Sequence, residues 1–217
     1  MKILYAFIDE GCHKTLMDDY LSICADDENF KNKILKYRRW QDAQASLIGR
    51  MLLKYGLSNY FGITNFKIEK TNDNKPFLKN KNIQFNISHS KDLVVCIITD
   101  YFPVGIDVEF IDYTMNYLDF KYQMTDNELK IIEGSENRTR SFFSYWTSKE
   151  AVIKAYGKGL KVALKSFKIV NNHSSIDNHQ FELKEIFINE NYHCCIAANG
   201  NIRSKNIYVK QLSLNEL

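Results

Sequence analysis

Apolar residues along this chain keep two rhythms, every second position and every third to fourth, and the changes of rhythm mark out its elements. Residues 3–8 are a short apolar run that reads as a buried strand. Residues 26–30 are polar and open a helical region. Residues 34–55 follow helical spacing, with Trp40, Leu47, Met51 and Leu52 on the apolar side and Lys33, Lys36, Arg39 and Arg50 on the polar one. Residues 56–62, bounded by glycines, break that helix. Residues 66–69 read as a strand, and N-D-N-K-P at 72–76 as a loop. Ile83, Phe85 and Ile87 alternate, which marks a strand ending at Ser88-His89-Ser90. The unbroken apolar run 93–99 predicts a central strand. A turn at 100–103 leads into another strand, 104–110.

The second half repeats the two rhythms. Residues 117–132 read as broadly helical, with Thr125 a helix cap and Glu128 three residues on. Residues 142–160 carry Phe142, Trp146, Lys149, Ile153 and Tyr156 on one helical stripe. Gly157 supplies a left-handed stop to that helix. Strands are expected at 167–170, 181–188, 193–198 and 207–212, with a polar turn at 171–180.

The halves echo each other. W-Q-D-A-Q-A from Trp40 matches W-T-S-K-E-A from Trp146, so Gln44 falls where Glu150 lies. V-V-C-I-I-T at Val94 likewise echoes H-C-C-I-A-A at His193. The expected fold is therefore α/β, as two similar lobes in a pseudo-dimer with the site in the cleft between them. The division falls at 1–102 and 103–217.

Composition narrows the class. Apolar residues make up 45 % of the 217, enough for a sizeable core. The net charge of +3 is too small to imply a nucleic-acid partner. Basic residues do gather at 31–50, which suits an acidic protein partner. Five cysteines with no C-x-x-C predict neither a disulfide framework nor a zinc site. That usage fits a reducing cytoplasm. The opening K-I-L-Y-A-F-I is too short for a signal peptide or a membrane span.

Two acidic motifs carry the chemistry. In G-I-D-V-E, strand alternation points Asp107 and Glu109 to one face. Glu150 and Lys154 share a helix face four residues apart. Taken singly, the first reads as a solvated strand face and the second as a surface ion pair. Together, three carboxylates need a positive centre between them, and a hard cation such as Mg2+ takes oxygen ligands. Ser88-His89-Ser90 offers hydroxyls and an imidazole to a phosphate. His89 alone is more often a structural hydrogen bonder, and Lys75 alone a solvated loop lysine.

N-K-P-F, F-N-I-S-H-S, G-I-D-V-E and W-T-S-K-E-A-V-I-K-A-Y-G-K-G-L stand in this order over residues 74–160. The set resembles the 4′-phosphopantetheinyl transferases of the surfactin-synthetase-activating type. The resemblance implies transfer of the phosphopantetheine arm of coenzyme A to a serine of an acyl or peptidyl carrier protein, with Mg2+ as cofactor and release of 3′,5′-ADP. It implies a monomer with no nucleic-acid or membrane partner. It assigns the metal to Asp107, Glu109 and Glu150, and the coenzyme phosphates to Lys154. Coenzyme-binding loop residues match Lys75, Ser88 and His89, and Lys33 and Arg39 are taken for the 3′-phosphate side, with Lys36 nearly as good. The family's proposed base lies in F-[ST]-x-x-E, where this chain has Met124, Thr125 and Glu128. Its usual G-K-P is N-K-P here. Two other readings compete on the acidic residues: a Mg2+-dependent nuclease or phosphodiesterase, and a non-catalytic module that binds carrier proteins.

Overall fold

The alternating and helical stretches assemble into two four-stranded sheets, each covered by one long helix. The computed structural model describes residues 1–23 and 27–217; Cys24 and Asp26, used above, lie outside the described residues. The first half runs β1 (Lys2–Phe7), α1 (His13–Ile23), α2 (Glu28–Leu35), α3 (Trp40–Phe61), β2 (Ile68–Lys70), β3 (Pro76–Leu78), β4 (Gln84–Ser90) and β5 (Leu93–Thr99). The second runs β6 (Val104–Phe110), α4 (Asp126–Glu133), α5 (Arg138–Tyr156), β7 (His173–Ile176), β8 (His179–Glu185), β9 (Tyr192–Ala198) and β10 (Tyr208–Gln211). The chain is α/β, as its sequence predicts.

The sheets are ordered β10-β1-β5-β4 and β6-β9-β8-β7, and β2 and β3 form a separate small ribbon. In each half a first strand, β1 or β6, precedes a long helix and then a hairpin. The hairpin's second strand, β5 or β9, pairs antiparallel with the first strand. The tail departs from a simple division at 102/103. Strand β10 pairs parallel with β1, and Leu212 joins the core under α3, so residues 208–217 belong with the first sheet.

Strand alternation gives each sheet two apolar faces. Ile3, Val95 and Ile97 of the first sheet meet Ile106, Val108 and Ile196 of the second in one core between the sheets. The opposite face of the first sheet, with Leu4, Cys96 and Ile98, receives Ile48, Leu52 and Leu53 of α3. The opposite face of the second, with Cys195 and Ala197, receives Ala151, Val152 and Ala155 of α5. All seven residues of β5 are buried, which is why that stretch is an unbroken apolar run.

Strands β4 and β6 lie side by side without sharing a ladder. Side chains of β4 close that seam. Asn86 Oδ1 accepts from Ile106 N at 2.9 Å, and Ser90 Oγ accepts from Phe110 N at 3.0 Å. Period two therefore puts Asn86, Ser88 and Ser90 against the D-x-E strand.

Several expectations need correction. Residues 34–55 are not one helix: α2 ends at Leu35, and Arg39, in extended conformation, precedes a new start at Trp40. Gly56 does not break α3, which runs to Phe61 and is closed by Gly62 in the left-handed region. Ser88-His89-Ser90 is not a loop, because these residues continue the ladder to β5. Residues 117–132 split into a 3-10 turn and α4, with the Thr125–Glu128 capping box present. Residues 167–170 form only an isolated bridge at Val170. The polar stretch 171–180 contains β7, flanked by asparagines and an aspartate at positive φ.

Candidate active site

The seam between β4 and β6 is also where the acidic residues sit. Asp107 is buried at 3 % exposure on the face of β6 that α5 covers. Its Oδ1 accepts from Ser88 Oγ at 2.9 Å and from Lys154 Nζ at 2.6 Å. Lys154 Nζ also donates to Ser88 Oγ at 2.8 Å. The other oxygen, Oδ2, is buried without a hydrogen-bond partner. Leaving a buried carboxylate oxygen unmatched costs on the order of 1–3 kcal/mol or more. Glu109, two residues on, accepts from Ser90 Oγ at 2.8 Å.

Glu150 stands on the same face from α5, one turn before Lys154. Like-charge crowding is visible in the acids' protonation. Burial first, then Asp107, pushes the Glu109 carboxyl up to about 7. Glu150 is raised for the same two reasons in the same order. Lys154 pairs with Asp107 of β6, beside the seam, rather than with Glu150 as a surface pair. Gly105 permits this closeness: a Cβ there would lie 2.2 Å from Ala151 O and 2.4 Å from Ala155 N of α5.

Among the described residues no three His, Cys, Asp or Glu side chains converge as a finished metal site. The ammonium of Lys154 holds the cationic place beside Asp107. The donor set nonetheless fits a hard cation: it is all-oxygen and crowded, Glu109 and Glu150 are raised in pKa, and Asp107 Oδ2 is unmatched.

Beside the acids opens a cleft of ≈ 590 Å³, with Lys75 and Pro76 on one side and Trp146, Glu150, Ile153 and Lys154 on the other. Lys75 donates to Ala155 O at 2.8 Å, and burial lowers its pKa to about 8. Asp73, in the lining, pairs with Lys161. His89 lies at the surface on the α3 side of β4. Crowding by the surrounding protein, then Lys154, holds its imidazole below the ordinary pKa, and Asp42 and Lys33 act on it from α3 and α2. Lys33 donates to Ser46 Oγ of α3 at 3.5 Å. Arg39 caps the start of α3 and, largely exposed, faces Asp42 at 4.0 Å.

Glu128 is placed elsewhere. It is 1 % exposed, with Lys149 Nζ at 2.9 Å and Thr125 N at 2.8 Å on Oε2, and Ile169 N at 3.0 Å on Oε1. Lys149 in turn donates to Leu164 O and Phe167 O. This buried pair fastens α4, α5 and the 164–169 segment together. A base for an incoming hydroxyl must come within its reach, and Glu128 is enclosed and absent from the lining of the cleft, which counts against the expected role. Sequence reasoning missed Ser90, Asn86 and Lys149 as partners. Period two along β4 signals the first two; for Lys149 the sequence shows only a charged residue on an apolar stripe.

The sequence profile of the 4′-phosphopantetheinyl transferase superfamily matches residues 103–197, and that of the 4′-phosphopantetheinyl transferase N-terminal region matches residues 18–99. The chain is 33 % identical over 197 residues to the 4′-phosphopantetheinyl transferase gsp of Aneurinibacillus migulanus, covering 84 % of this chain and 80 % of the relative. It is 25 % identical over 173 residues to the 4′-phosphopantetheinyl transferase Sfp of Bacillus subtilis strain 168, covering 78 % and 76 %. A third relative is the L-aminoadipate-semialdehyde dehydrogenase-phosphopantetheinyl transferase of Xenopus laevis, 29 % identical over 147 residues, covering 60 % and 49 %.

Proposed function

The chain belongs to the 4′-phosphopantetheinyl transferase superfamily, and on that premise we propose that it transfers the 4′-phosphopantetheine arm of coenzyme A to a serine of an acyl or peptidyl carrier protein, in a Mg2+-dependent reaction that releases 3′,5′-ADP. The observation that carries this reading is the meeting of Asp107, Ser88 and Lys154 across the seam between the halves, beside a cleft that Glu150 lines. Residues 1–102 form the coenzyme side and 103–217, less the returning tail, the metal and phosphate side of a pseudo-dimer.

Asp107, Glu109 and Glu150 would hold the cation, which when bound neutralises pyrophosphate charge. Lys154 carries a compact charge at the same place and stabilises the charge that grows on the leaving phosphate. Lys75, reaching the cleft from the first half, and Ser88, His89, Lys33 and Arg39 bind coenzyme phosphates whose charge does not change during transfer. The cleft aligns the carrier serine with the phosphorus. Its proton acceptor belongs among the groups that face the cleft, since Glu128 is enclosed.

The basic residues of 31–50 face an acidic carrier surface in this reading, acting on encounter more than on the final complex. No helix among the described residues is long and apolar enough to cross a membrane. The protein acts as a cytoplasmic monomer in this account. Incubation with apo-carrier protein, coenzyme A and Mg2+, read by intact mass, tests the proposal. One added phosphopantetheine per carrier serine is expected; an unchanged carrier mass across acyl and peptidyl carrier proteins would contradict it.

A further inference from the structure

A second, smaller cavity of ≈ 260 Å³ opens at the N-terminal end of α5, lined by Ser135, Asn137, Arg140, Ser144, Glu185 and His193 among others. His193 is only 2 % exposed. Its Nδ1 meets Thr147 Oγ1, and the Thr147 hydroxyl is itself within donating distance of Phe143 O at 2.9 Å. A hydroxyl has one proton to give. With that proton on Phe143 O, the imidazole is the donor at Nδ1 and carries a lone pair at Nε2. Nε2 is buried and has no hydrogen-bond partner. The nearest charged atom is Glu185 Oε1, 3.5 Å away on the adjacent strand β8.

In that tautomer two acceptors face one cavity, farther apart than an ordinary hydrogen bond of about 2.7–3.2 Å; a proton on Nε2 would instead make the pair a long ion contact, the one that lowers the Glu185 carboxyl. The separation suits a shared ion instead. Two ligand atoms each about 2.0–2.2 Å from a tetrahedral zinc lie roughly 3.4 Å from each other. A histidine ligand whose second ring nitrogen is anchored by a hydrogen bond is the usual arrangement at such centres.

We propose that His193 Nε2 and Glu185 Oε1 form a weak two-ligand site for a divalent transition metal of the zinc class. An imidazole donor selects such an ion over Mg2+, which prefers oxygen. The other coordination positions open into the cavity, where the Ser144 hydroxyl stands. The Arg140 guanidinium, also in the lining, opposes a second positive charge and weakens the site. The site ties β9 to β8 and, through Thr147, to α5 one turn before Glu150. His193 also pairs with Glu109 across the β6–β9 ladder, so a bound ion stiffens the two elements that carry the acids.

Calorimetric titration with Zn2+, in saturating Mg2+ to fill the carboxylate group, tests the site on wild-type protein and the variants E185Q, H193Q and E150Q. One Zn2+ is expected in wild type, at least tenfold weaker binding in E185Q, none in H193Q, and unchanged binding in E150Q. The Glu185 side chain is 57 % exposed, so E185Q keeps the test open even if H193Q fails to fold. Co2+ in place of Zn2+ should give the intense visible bands of a tetrahedral centre, absent from E185Q. Absence of Zn2+ binding in wild type, equal affinity in E185Q, or loss in E150Q instead would overturn the proposal.

Discussion

The two halves place one long helix on one sheet in the same way and do opposite things with the contact. In α3, five residues after Trp40 comes Ala45; in α5, five residues after Trp146 comes Ala151. Between them stand Gln44 in the first half and Glu150 in the second. Gln44 is fully buried and spends both ends of its amide on Asp9, accepting from its N–H at 2.9 Å and donating to its carbonyl at 2.8 Å. Glu150 has no such closure and lines the cleft. Eight residues after each tryptophan the contrast repeats. Ile48 is fully buried under the first sheet, while Lys154 reaches Asp107. One scaffold thus serves twice, with the Gln44 amide matched at both ends in the first half and acids left crowded in the second. Matching stabilises a fold; crowded, unmatched charge suits a ligand that compensates it.

Breaking a buried charge should show the largest effect on stability, and only the second half contains such a pair among the described residues. Glu128→Gln leaves Lys149 fully buried against two carbonyls with its countercharge gone. A loss of about 3–5 kcal/mol is expected, read as a drop in Tm and in denaturant midpoint. At temperatures where the variant is still folded, kcat should stay near wild type. A wild-type Tm with kcat reduced a hundredfold would return Glu128 to the role of base.

Packing sharpens the comparison next. In the second half the small residue is on the strand, at Gly105, and what lies against it is helix backbone. In the first half the small residues are on the helix, and a Cβ at Gly49 would meet Ile87 Cγ2, a side-chain methyl rather than backbone, at 2.8 Å. Gly105→Ala should therefore cost about 3 kcal/mol, at the upper end for overpacking, and should cut activity with it because α5 carries Glu150 and Lys154. Gly49→Ala should cost less than that, since Ile87 is stiff at χ1 but is a side chain rather than backbone, and roughly 1 kcal/mol of helix propensity offsets part of its shift. Thermal melts of the two variants side by side check this; equal losses would remove the distinction.

A smaller effect follows from Lys75, the cation the first half sends into the cleft. Burial depresses its folded-state pKa to about 8 from 10.5. A depressed pKa means the folded chain binds this proton less well than the unfolded one between those values. The stability tied to Lys75 is thus present above about 10.5 and lost as pH falls through about 8. Coenzyme binding runs the other way, because only the charged form attracts phosphate. The KM for coenzyme A should rise a few-fold as pH passes about 8, and Lys75→Arg, which stays charged, should flatten that rise. An identical profile in both proteins would detach Lys75 from the coenzyme.

The strands at the seam were legible because their signals are local. The unbroken apolar run of β5 and the alternation in β6 match the structure from end to end. Residues 36–39 were not, since K-Y-R-R carries no glycine or proline to interrupt a helical spacing that continues on either side. Gly56 misled for the opposite reason: it has the look of a stop, yet it lets α3 approach Ile98 and Leu4. In α1, among the described side chains, Leu16 and Tyr20 join the core with Met17 packed beside them. At the site, the carboxylates and Lys154 could be found from spacing within one element. Their partners could not, because Ser88 and Ser90 arrive from β4, 19 residues from the acids of β6 and, for Ser88, 66 residues from Lys154. Glu128 fits a motif frame, and only the position of Lys149 in space reveals a structural pair.

The central claim is that Lys154, where the first half has Ile48, acts on charge that develops during transfer, while Lys75 meets charge that stays constant. Steady-state kinetics of Lys154→Ala and Lys75→Ala, measured together at saturating Mg2+ with a carrier protein, test it most directly. Lys154→Ala should lower kcat roughly ten- to a thousandfold, as loss of an oxyanion donor does. Lys75→Ala should raise KM for coenzyme A and leave kcat near wild type. A Lys154→Ala enzyme with normal kcat and only a raised KM would contradict the account.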